Sequence, residues 1–97
     1  MIAAQRGDSI QLRLGLGQAL GVETLERALK GAENHAPAPW QQAYRRLAHE
    51  VSPYATTNAA EATAEMFKLW WCRVGPTTPV VTRFGALVDQ LIPPPPC

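Results

Sequence analysis

The chain has 97 residues, 46% of them hydrophobic, with nine Lys and Arg against eight Asp and Glu for a net charge of +1. That length suits one small domain near the lower end of comfortable stability. The near-zero charge argues against nucleic acid or an anionic membrane as partner. No apolar run reaches the roughly eighteen residues a membrane span needs, and residues 1–8 lack the apolar core of a signal peptide. The sequence reading is therefore a cytoplasmic chain whose Cys72 and Cys97 are reduced thiols, with a disulfide as the minor alternative.

In chain order, Ser9-Ile-Gln-Leu-Arg-Leu14 alternates apolar and polar residues, as a short strand does. Gly15-Leu-Gly17-Gln-Ala-Leu-Gly21 follows, but its last glycine falls one place too late for a dinucleotide fingerprint, and no second strand follows. Residues 1–21 thus read as a poorly defined N-terminal segment with a loop or a glycine-broken helix. Val22, Leu25, Ala28 and Leu29 have helical spacing, Gly31 suits a C-terminal cap, and Glu23–Arg27 and Glu26–Lys30 form i,i+4 pairs. Residues 32–39 read as a Pro-containing linker that leaves His35 in solvent.

Residues 40–92 read as the helical core. Trp40, Tyr44, Leu47 and Val51 recur at i, i+4, i+7 and i+11 as one apolar stripe, and Pro53 ends that helix. His49-Glu50 at its end begins a zincin pattern but lacks the second histidine one turn on, so it reads as a surface pair. Asn58 is a good N-cap for a central helix over 59–74, with Ala60, Ala64, Phe67 and Trp71 as its stripe. Gly75-Pro76 stops it. Thr78 and Pro79 open a last helix with Val80, Phe84, Leu87, Val88 and Leu91 on one side. Residues 93–97 form a Pro-rich tail. The fold class expected is mainly α, a single small bundle of about four helices with at most one short N-terminal strand.

Glu61 and Glu65 are four apart and so share a helix face, just after a loop that carries Tyr54. The run Tyr54-Ala-x-Thr-Asn58-x-x-Glu61-x-x-Ala64-Glu65-x-Phe67 resembles the C-terminal signature of lethal-factor-like gluzincin zinc metallopeptidases, over roughly residues 40–71. In that family an upstream His-Glu-x-x-His helix supplies two zinc-binding histidines and the general base. The resemblance implies that Glu61 is the third zinc ligand, Glu65 a carboxylate beside the ligands, and Tyr54 a catalytic residue that stabilises the oxyanion of a cleaved peptide. The chain departs from the pattern in having no His-x-x-x-His pair.

Each residue also has a plainer reading. Glu61 can reach back to the Asn58 amide, Glu65 can pair with Lys68, and the Tyr54 ring can pack its loop against the Trp40 helix. The function expected is a truncated or degenerate zinc metallopeptidase-like domain. It would bind zinc and act on a peptide or protein substrate only when a missing N-terminal half provides the histidines. The alternative is a non-catalytic helical interaction module.

Overall fold

The computed structural model describes residues 2–73 and 77–91. Among them are five α-helices and no strand: α1 (Ile2–Ala19), α2 (Leu25–Leu29), α3 (Ala38–Glu50), α4 (Ala59–Trp71) and α5 (Pro79–Leu91). Short 3-10 turns at Lys30–Ala32 and Pro53–Thr56 follow α2 and α3. The mainly α class is as expected from the sequence. The break at Gly75-Pro76 and the tail at 93–97 lie outside the described residues.

The N-terminal segment departs most from expectation. Ser9–Leu14 is not a strand: α1 runs through it and on through Gly15 and Gly17. Its period-two alternation lies inside a helix whose Leu12, Leu16, Ala19 and Leu20 are buried while Ile10 and Leu14 face solvent. Leu12, Leu16, Ala19 and Leu20 fit a helical spacing that the shorter window 9–14 cannot display. The helix stops at Gly21, whose φ of 89° closes a Schellman turn. The Val22 amide donates to Gly17 O at 2.8 Å and the Gly21 amide to Gln18 O at 3.1 Å.

The remaining boundaries shift for local reasons. The Thr24 hydroxyl accepts from the Arg27 amide, so α2 starts at Leu25 rather than at Val22. Glu23–Arg27 pairs at 2.7 Å as expected, but Glu26 faces Arg13 of α1 at 3.7 Å instead of Lys30. Pro37 precedes α3, and Pro39 lies in its first turn, where a missing amide costs nothing. α4 ends at Trp71, ahead of Arg73 with its positive φ of 55°.

The core joins α1, α2, α3, α4 and α5 around the fully buried Leu16, Leu25, Leu47, Met66, Val80, Val81, Phe84 and Val88. At about 2 kcal/mol per large apolar side chain removed from water, these residues carry the main favourable term of folding. α5 packs on α1, α3 and α4. The stripe expected on α4 is corrected. Ala60 and Ala64 are exposed, while Ala62, Met66 and Leu69 are buried. Phe67 and Trp71 lie at the edge of that buried face and stack on each other, 4.3 Å between ring centres. Phe67 also meets Phe84 edge-on at 5.0 Å. Trp71 Nε1 is buried without a hydrogen-bond partner among the described residues.

Trp70 lies flat against Gly85 of α5, donates from Nε1 to Asp89 Oδ1 at 3.1 Å, and carries the Arg73 guanidinium over its ring. A Cβ at position 85 would penetrate the indole. Gly85→Ala is therefore expected to cost about 1–3 kcal/mol, read as a lower midpoint in denaturant. An unchanged midpoint would show that α4 and α5 do not meet at this point.

Candidate functional site

Asn58 Oδ1 accepts from the Glu61 amide at 2.8 Å, which starts α4 where the sequence places it and puts Glu61 in the first turn. The Glu61 carboxylate is exposed and makes no hydrogen bond or ion pair among the described residues, so the reciprocal bond to the Asn58 amide is not formed. Tyr54 lies in the 3-10 turn and is 72% exposed. The expectation that its ring packs against the Trp40 helix is corrected. With Pro53 leading a tight turn, Ala55 becomes the buried anchor and Tyr54 faces outward.

Glu65 is held by its surroundings. Ser52 Oγ donates to its Oε1 at 2.8 Å, and Lys68 Nζ lies 3.2 Å from its Oε2. The same Ser52 oxygen accepts from the Ala55 amide and caps the turn. The Ser52 hydroxyl, then the Lys68 contact, hold the Glu65 carboxyl below its ordinary 4.5, against a smaller opposing effect of burial. Glu65 thus fastens the turn after α3 to α4, and its i,i+3 pair with Lys68 is as read from the sequence. A cleft of about 450 Å³ beside it is lined by Val51, Ser52, Glu65, Lys68 and Leu69, and takes in neither Tyr54 nor Glu61.

A catalytic zinc needs three protein ligands and an open position. Among the described residues no three His, Cys, Asp or Glu side chains converge to hold a metal ion. Glu61 stands alone, and both oxygens of Glu65 are occupied by Ser52 and Lys68. The donors that the described residues bring together do not fit a zinc site. Cys72 is disulfide-bonded, which corrects its reading as a reduced thiol.

The polar residue that sequence reading underrated is Glu50. Its Oε2 accepts from Arg46 Nε at 2.9 Å, and its Oε1 accepts from the Val80 amide in the first turn of α5 at 3.0 Å. Its backbone carbonyl accepts from Thr78 Oγ1 at 2.8 Å, while Arg46 Nη1 reaches Ala19 O at the end of α1, 3.1 Å away. Thr78 accordingly uses its hydroxyl on α3, and Glu50 provides the cap expected of Thr78. Burial raises the Glu50 pKa, but the Arg46 hydrogen bond, the Val80 amide and the Arg46 charge together outweigh it and hold the carboxyl below 4.5. A sequence clue exists: the Arg46–Glu50 spacing, beside a Thr-Pro helix start that needs acceptors for its free amides.

No family model, curated protein or solved structure matches the chain.

Both Glu50 and Glu65 have folded-state pKa values below their unfolded ones. Their stabilisation is full above the unfolded value of 4.5 and is lost as the pH falls through the lower folded values. Denaturant midpoints are expected to be level above about pH 6 and to drop at acid pH. Glu50→Gln should lower the neutral-pH midpoint and flatten the acid limb. An acid limb of unaltered steepness in both Glu50→Gln and Glu65→Gln would show that neither carboxylate is linked to folding.

Proposed function

We propose that the chain is a non-catalytic helical interaction module that meets its partner through the outer face of α1. The observation that supports this is the exposure of Ile10 and Leu14, 58% and 37%, one turn apart on a helix whose opposite face is buried. Isolated exposed apolar side chains are ordinary, but two aligned on one helix face form a contact strip. The partner that fits is another apolar helix face, of which a second α1 is the simplest source. In sedimentation equilibrium the wild-type chain is expected to associate as its concentration rises, and Ile10→Lys/Leu14→Lys to stay monomeric with an unchanged melting temperature. A wild-type chain that remains monomeric and also ignores an added amphipathic helical peptide would refute the reading.

A second reading keeps the family resemblance. In it the chain is the C-terminal part of a lethal-factor-like zinc metallopeptidase, a hydrolase of peptide or protein substrates whose histidines come from elsewhere. Support comes from the Asn58 cap, which sets Glu61 in the first turn of α4 directly after the segment bearing Tyr54. The engagement of Glu65 by Ser52 and Lys68 weighs against it. Metal analysis separates the two readings. The isolated chain is expected to hold far less than one zinc per molecule, whereas one zinc per chain, lost in Glu61→Gln, would favour the peptidase.

No helix among the described residues is long and apolar enough to cross a membrane. The cytoplasmic location read from the sequence is part of the proposal, and the disulfide at Cys72 is the observation against it. Alkylation during isolation decides the matter. Two modified cysteines fit the cytoplasm, and none fits an oxidising compartment.

A further inference from the structure

Away from the Glu61 region, the turn after α2 and the outer side of α3 enclose an open cleft of about 370 Å³. Gly31, Glu33, Asn34, Gln41, Tyr44 and Arg45 are among the residues that line it. The volume falls inside the range of about 300–1,000 Å³ usual for small-molecule sites.

The hydrogen-bonding state of these side chains distinguishes the cleft from the one beside Glu65. There the carboxylate, hydroxyl and ammonium satisfy one another. Here Glu33 and Arg45 carry opposite charges on the same cleft, yet neither forms an ion pair among the described residues. The Tyr44 hydroxyl and the Asn34 amide also have no hydrogen-bond partner among them. Gln41 is anchored on one side only: its Nε2 donates to Ala36 O at 3.0 Å, which fixes the side chain and leaves its Oε1 as an acceptor.

We propose that this cleft binds a small zwitterion with one carboxylate and one ammonium, the chemistry of a free α-amino acid. The Arg45 guanidinium takes the carboxylate, for which its planar fork is suited. The Glu33 carboxylate and Gln41 Oε1 accept from the ammonium, which has three donors. Tyr44 and Asn34 are left to contact the variable part of the ligand. A simple anion would meet Glu33 and a simple cation would meet Arg45, so a ligand of both signs is preferred over either alone.

The test is amide-resolved NMR of the full chain titrated with each of the common L-amino acids, with acetate and methylammonium as single-charge controls. At least one amino acid is expected to give saturable shifts at Glu33, Asn34, Tyr44 and Arg45, and the two controls to bind at least tenfold more weakly. Arg45→Gln and Glu33→Gln should each weaken binding about tenfold, roughly the worth of one charge-assisted hydrogen bond. Both residues are exposed, so the melting temperature serves as a control for folding. Three results would overturn the proposal: no saturable shift with any amino acid at millimolar concentration, equal binding of acetate alone, or affinity unaffected by either substitution in a folded variant.

Discussion

Glu50 ties three helices together at one point. From the last turn of α3, its two carboxylate oxygens join Arg46 to the Val80 amide of α5, and Arg46 carries the connection on to the Ala19 carbonyl of α1. Two of these bonds satisfy groups that helix geometry leaves without a partner: an amide at the start of α5 and a carbonyl at the end of α1. The carboxylate also complements the positive end of the α5 dipole, and the guanidinium the negative end of α1. α5 in turn brings Val80, Val81, Phe84 and Val88 into the core. The apolar residues provide most of the binding energy, while this polar junction fixes where α5 begins and how it enters the bundle.

The same logic assigns Glu65 a supporting task. The Ser52 hydroxyl accepts from the Ala55 amide and donates to Glu65, so one side chain caps a turn and fastens it to α4. Once Glu65 is engaged in this way, the turn that bears Tyr54 is held from below, with Ala55 buried and Tyr54 outward. The features shared with the metallopeptidase signature, an asparagine cap with a glutamate in the first turn and another one turn later, are also those of a well-capped helix anchored to its preceding turn. Shared local structure of this kind transfers between proteins of different function.

Two surfaces remain outside these internal networks. The outer face of α1 presents apolar side chains, and the cleft beside Gly31 presents charges that have no ion-pair partner among the described residues. They lie on different elements and call for different chemistry, one burying hydrocarbon and the other pairing ions. Neither involves Tyr54, Glu61 or Glu65.

From the sequence alone, the helical class, the α4 start at Asn58 and the buried Val80, Phe84 and Val88 were all determined, because caps and 3.6-residue spacing are properties of neighbouring residues. So was the Glu65–Lys68 pair, which is confined to one turn. The tertiary structure decided the rest. Alternation at Ser9–Leu14 resembles a strand until α5 and α2 cover one side of α1 and reveal a helix. The buried face of α4 centres on Ala62, Met66 and Leu69 rather than on Ala60 and Ala64, and Trp70 lies on Gly85, fifteen positions away. Glu50 looks like a surface residue until the chain returns and offers it the Val80 amide, thirty residues later. Local periodicity carries no record of which distant backbone group will need a partner, and that need sets the role of each charged side chain.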